Sequence, residues 1–153
     1  AADMLHEMRT KEGAELANDF RARLSLLEQR VEEVERLSRG QVPRERARLR
    51  ERIGQLLEQE RIDEGRLEME LTMLADRLDV TEECVRFRSH TKFFREAIDD
   101  REPAGRKLNF LVQEMNREVN TMGSKSNDTG IAHLVVGMKE ELEKIREQLQ
   151  NIE

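Results

Sequence analysis

The sequence is poor in the residues that staple or stiffen small folds. A single cysteine, Cys84, stands in 153 residues, so an internal disulfide framework is excluded and a reducing compartment is allowed. Its ordinary reading is a small residue on or inside a helix. Tryptophan and tyrosine are absent and aromatics make up only 3%, which argues against a compact, sheet-containing core. No apolar run approaches the ~18 residues of a membrane span, and the polar opening AADMLHEMRTKEG has no signal-peptide pattern. A cytoplasmic protein without membrane contact is therefore expected. The first residue is not methionine, so the chain is expected to be a fragment of a longer one. P-loop, HExxH, CxxC and GxSxG patterns are all missing, which leaves the common NTPase, zinc-protease, zinc-ribbon and hydrolase classes without support. A net charge of −6 supplies no global attraction for nucleic acid or anionic membrane, so any such contact must be local.

What is present is charge and helical periodicity. Charged residues make up 39% of the chain, arranged around narrow apolar seams. Leu16, Phe20, Leu24, Leu27, Val31 and Val34 recur at steps of three and four, a helical stripe with a charged back. Gly40 and Pro43 break it, and a second seam runs through Leu49, Ile53 and Leu56. That seam falters over Gln59–Gly65 and resumes at Leu67, Leu71, Leu74 and Leu78, as one bent helix or two. Thr81 reads as an N-cap ahead of Glu82 and Glu83; the next helix carries Phe87, Phe94 and Ile98 and ends near Asp99–Pro103. A helix from about Ala104 to Met122 follows, then a turn-rich loop Gly123–Gly130. The last seam, Ile131, Val135, Met138, Leu142, Ile145, Leu149 and Ile152, is spaced as three heptads suited to pairing with another helix. The expectation is an all-α, elongated helical bundle of five or six helices with coiled-coil-like antiparallel pairs. Residues 1–65 would form a long arm and 66–153 a C-terminal helical domain.

The stretch GRKLNFLVQEMNREVNTMGSKSND, Gly105 to Asp128, departs from this plain pattern. On a wheel at about 100° per residue, Leu108, Leu111, Val112, Met115, Val119 and Met122 form the seam. Beside it lie Asn109, Gln113, Asn116 and Asn120, continued by Arg106 and Arg117. Aligned amides can hydrogen-bond across a bundle and fix register. They can equally read base edges and ribose hydroxyls, with Arg106, Lys107, Arg117 and Lys125 meeting phosphates. Glu114, Glu118 and Asp128 are candidate carboxylates for Mg²⁺ or Mn²⁺, though glutamates four apart are also an ordinary solvated face. His90 is a core or interface histidine or a candidate acid/base. His6 and His133 have no constellation around them.

Residues 66–83, with Arg66-Leu67-Glu68-Met69-Glu70-Leu71 and Ala75-Asp76-Arg77-Leu78-Asp79-Val80-Thr81-Glu82-Glu83, together resemble the C-terminal region of the bacterial YicC family. So do Arg88-Ser89-His90, the 105–128 stretch and the terminal REQLQNIE; Met8–Gly13 matches more weakly. The resemblance implies the helical part of a stress-induced, divalent-metal-dependent endoribonuclease that cuts single-stranded RNA and assembles as a homo-oligomer. It also implies an N-terminal domain that precedes this part. On that reading His90, Glu114 and Glu118 are candidate catalytic groups. Glu114, Glu118 and Asp128 are candidate metal ligands, and Arg106, Lys107, Asn109, Gln113, Asn116, Arg117, Asn120 and Lys125 face RNA. Val136-Gly137-Met138-Lys139 departs from the family's usual V-E-L-K by one carboxylate. The alternative is a non-catalytic oligomerisation module or an RNA-binding adaptor.

Overall fold

A computed structural model describes residues 2–56, 61–100 and 105–152, with side chains described for residues 11–151 of these. Among them are six α-helices and no strand: α1 (Ala2–Arg39), α2 (Gln41–Leu56), α3 (Glu64–Leu78), α4 (Thr81–Ile98), α5 (Gly105–Lys125) and α6 (Thr129–Ile152). The bent-or-broken segment is thus two helices, and α3 opens on an Asp63 side chain that accepts from the Arg66 amide at 3.1 Å. Gln59–Glu60, Arg101–Ala104, the side chains of His6 and Ile152, and Glu153 lie outside the described residues.

Four helices form the bundle. α1 packs on α4 and α6, and α5 packs on the same two. Four of the seams read from the sequence meet in one core: Phe20, Leu24, Leu27, Val31 and Val34 from α1, Phe87 and Phe94 from α4, the α5 seam, and Ile131 through Leu149 of α6. The α2 and α3 seams lie outside it, and Leu56 is 73% exposed. Phe20 and Phe94 meet edge to face at 5.6 Å between ring centres, the arrangement that ring quadrupoles favour. The heptad of α6 is therefore spent inside the chain, against α1 and α5. α1 belongs to this core, whereas α2 and α3 pair with each other as a hairpin attached mainly through α1.

Ion pairs fix the antiparallel register of neighbouring helices. Arg88 forks onto Glu35 with both nitrogens at 2.7 Å, and Arg95 reaches Glu28 at 3.1 Å, so α4 runs against α1. Arg23 bridges to Glu141 of α6 at 2.9 Å. Arg46–Glu68 and Arg50–Glu64, at 3.0 and 2.6 Å, tie α2 to α3. Cys84 is fully buried, and burial first, then the nearby Glu35 charge, pushes its thiol up to about 12. It is an inert core residue.

Two junctions differ from the expectation. Val80, not Thr81, occupies the N-cap position of α4; Thr81 begins the helix and donates from both its amide and hydroxyl to Asp79. The loop after α5 is also shorter than its composition predicts, because Gly123-Ser124-Lys125 continue the helix. Packing overrides propensity here. A Cβ on Gly123 would stand 3.2 Å from a Val135 methyl, so the absence of a side chain lets α5 and α6 approach closely where they turn.

Candidate nucleic-acid interface

Only Ser126, Asn127 and Asp128 separate α5 from α6, and each is held. The Asn127 amide and the Ser126 hydroxyl donate to the buried Gln41 side-chain oxygen at 3.2 and 3.4 Å. Asp128 caps α6, accepting from the Ile131 amide at 3.0 Å, and its other oxygen takes Arg44 of α2. Hydrogen bonding from Arg44, with help from the Ile131 and Gly130 amides, keeps the Asp128 carboxyl below the usual carboxylate range. Gly130 is required beside it: a Cβ there would lie 2.9 Å from an Asp128 oxygen and 3.0 Å from Leu37.

The α4–α5 seam carries a second polar set. Glu83 and Glu118 are both buried, at 2% and 5% exposure. Arg86 donates from Nε to Glu118 at 2.7 Å and stands 3.5 Å from Glu83. Hydrogen bonding to Glu118 raises the Arg86 guanidinium further above its ordinary value. Lys125 reaches back from the end of α5 to Glu83 at 2.7 Å and to the Asp79 carbonyl at 3.2 Å. Two buried carboxylates are thus compensated by two cations, as burial of charge demands.

The outer face of α5 is different. Gln113, Asn116 and Asn120 are exposed, as are Arg106, Lys107 and Arg117; Asn109 is half-buried. The amides do not form an enclosed register lock between helices. Arg106 and Arg117 make no ion pair among the described residues, whereas most other arginines near the bundle are tied to a carboxylate. Glu114 is half-buried with no hydrogen bond or ion pair among the described residues. The register that sets Arg86 on Glu118 brings residue 90 of α4 level with residue 114 of α5. His90 is half-buried, and its Nδ1 is buried without a hydrogen-bond partner.

The candidate residues therefore fall into two groups. Arg106, Gln113, Asn116, Arg117 and Asn120 share one exposed helix face with the half-buried Asn109, and Lys107, Glu114 and His90 lie on the flank toward α4. Glu118, Lys125 and Asp128 are engaged in ion pairs that hold helices together. Among the described residues no three His, Cys, Asp or Glu side chains converge as a metal would need. Glu118 and Asp128 already answer to Arg86 and Arg44, so the three expected carboxylates do not fit a shared ion. Sequence reasoning missed Arg86, Glu83, Gln41 and Arg44, partners that no local spacing reveals. Gly137 lines a cleft between α1 and α6 with Arg30, Glu33 and His133, away from α5, and has open space where a side chain would stand.

The model of the family described as "Endoribonuclease YicC-like, C-terminal" matches residues 34–153. The chain belongs to the YicC-like family. A protein of Clostridioides difficile named probable endoribonuclease YicC is 50% identical over 150 residues, 97% of this chain and 51% of the relative. One of Haemophilus influenzae with the same name is 38% identical over 148 residues, 95% of this chain and 50% of the relative. The chain spans about half the length of these relatives. Among the described residues no helix is long and apolar enough to cross a membrane.

Proposed function

We propose that this chain is the helical half of an endoribonuclease that cuts single-stranded RNA in the cytoplasm. The observation that carries the reading is the outer face of α5, where Arg106 and Arg117, without an ion pair among the described residues, stand among exposed Gln113, Asn116 and Asn120. Guanidinium groups suit phosphates, and amides offer donor and acceptor together to base edges and 2′-hydroxyls. The names of the relatives supply the reaction class.

In the proposed mechanism RNA lies along α5, its phosphates neutralised by Arg106, Lys107 and Arg117. His90 and Glu114, level with each other on the flank of that face, are the proton-transfer candidates. Neither the His90 Nδ1 nor the Glu114 carboxylate is committed to a hydrogen bond or ion pair among the described residues, which leaves both for substrate. Glu118 acts as a positioning residue: through Arg86 it fixes α5 against α4. Dependence on Mg²⁺ or Mn²⁺ belongs to the reading for the longer protein, as does assembly into a homo-oligomer. No step here passes through an ion, because the described carboxylates offer no shared ligand set. That same absence among the described residues favours a second reading, in which this half presents RNA and the remaining half of the protein cuts it.

The test is cleavage of labelled single-stranded and duplex RNA by the longer protein, with Mg²⁺, Mn²⁺ or EDTA. Arg106→Ala and Arg117→Ala are expected to weaken binding and flatten its salt dependence by close to one counterion each. His90→Gln and Glu114→Gln are expected to slow cleavage while leaving binding intact. Full cleavage by both variants would move the chemistry out of this half; equal affinities and salt slopes for the arginine variants would remove RNA from this face.

A further inference from the structure

Of the five phenylalanines, Phe20, Phe87 and Phe94 are buried, and the other two stand in solvent. Phe110 is 57% exposed and Phe93 is 45% exposed. Both belong to the α4–α5 pair. Each step forward on α4 is matched by a step back on α5, so the contact of Arg86 with Glu118 puts Phe93 at the level of Leu111 and Phe110 at the level of Phe94. Phe93 lies two turns along α4 from Arg86, on the same side. On α5, Phe110 has Arg106 one turn before it and Gln113 and Glu114 one turn after, with Arg117 one turn further.

A ring left in water loses the stabilisation that burial would bring. Two of them at one level, in a chain with so few aromatics, form an apolar island inside a polar, cationic strip. We propose that Phe110, with Phe93 beside it, is a stacking platform for unpaired bases of RNA. This rests on the ribonuclease reading above and extends it to substrate choice. The charge pattern selects the occupant: Arg106 and Arg117 flank Phe110 on the same helix face, unpaired among the described residues, about 16 Å apart along the axis, a span of a few nucleotides of a single strand with phosphates to either side of the ring. Aromatic stacking between cations is how single strands are held without base-pair partners, and duplex bases, already stacked on each other, have no free face to give. The platform explains a preference for single strands through geometry and leaves base identity largely unread, with purines favoured by their larger faces.

The experiment uses the longer protein carrying Phe110→Ala, Phe110→Leu, Phe110→Tyr or Phe93→Ala. Each is titrated with a labelled 2′-O-methyl oligoadenylate and with an abasic oligomer of equal phosphate number, while light scattering follows mass. Phe110→Ala is expected to lose roughly five- to a hundredfold in affinity for oligoadenylate. It should bind the abasic oligomer as before and keep its salt slope; tyrosine should restore binding and leucine should not. Equal losses on both oligomers, or full rescue by leucine, would overturn the platform. A change of mass that tracks the loss would instead make this island a contact between copies of the chain. Wild-type protein that binds neither oligomer would overturn the RNA reading itself; wild-type binding matched by every variant would overturn the platform alone.

Discussion

Asp128 is the residue whose role is most sharply testable, because two jobs proposed for it predict opposite results. As a structural group it caps α6 through the Ile131 amide and pairs with Arg44, its side chain only 6% exposed against 61% for Arg44. Replacing it by alanine removes the cap, worth about 1 kcal/mol. It also removes a negative charge at a helix N-terminus, worth roughly 0.3–1 kcal/mol, and a pair whose arginine is mostly in water, worth about 0–1 kcal/mol. The sum is near 2 kcal/mol, or about 4–8 °C in melting temperature for a chain of this length. Asp128→Asn keeps an acceptor for the cap and loses only the charge, so it should cost about half as much. The acid dependence follows from the depressed carboxyl. Its contribution is complete above the unfolded value near ~3.9 and is lost as pH falls through the lower folded value, so the deficit of Asp128→Asn should vanish in strong acid. Circular dichroism at 222 nm follows the melt, since this chain has no tryptophan or tyrosine. A variant that melts like wild type at neutral pH and yet abolishes metal-dependent cleavage in the longer protein would refute the structural assignment and return Asp128 to the metal.

Other substitutions separate scaffold from site. Glu118→Gln should lower the melting temperature by weakening the Arg86 contact while leaving cleavage per folded molecule intact; an unchanged melt with lost cleavage would make Glu118 catalytic. Gly137→Ala should raise stability by about 1 kcal/mol, the helix propensity difference, because nothing stands within 4 Å of the added carbon. A lower midpoint in urea would show that the position needs glycine. Leu142→Asp, at a core position 2% exposed, should unfold α6 and with it the bundle; retention of helicity and unfolding temperature would contradict the packing.

The helices were legible because burial in an amphipathic helix repeats every three or four residues; the seams of α1, α4, α5 and α6 are where their period put them, whereas Leu56, read as part of the α2 seam, is 73% exposed. Phe110 was not singled out from the sequence; its place among Arg106, Gln113 and Arg117 gained meaning only with its exposure. Periodicity tells which way a residue faces and nothing of what it meets. Arg86 finds Glu118 thirty-two positions away and Arg88 finds Glu35 fifty-three away, so their ion pairs could not be read from local spacing. For the same reason Glu118 and Lys125, which look like site residues on one helix, turn out to face the neighbouring one. The Gly123–Lys125 segment was read as a loop from its composition, but the packing of α5 on Val135 holds it helical.

The Gln41 amide has a consequence for the order in which the chain assembles. Its partners, Ser126 and Asn127, lie 85 and 86 residues further along, and Arg44 waits for Asp128 across 84. None of these bonds can form until α5 and α6 have met and turned the corner between them. The α2–α3 hairpin, attached mainly through α1 and pinned at that corner, is thus expected to dock late, after the long loop that closes it has been brought to order. It should also be among the first parts to let go, ahead of the bundle, as denaturant rises.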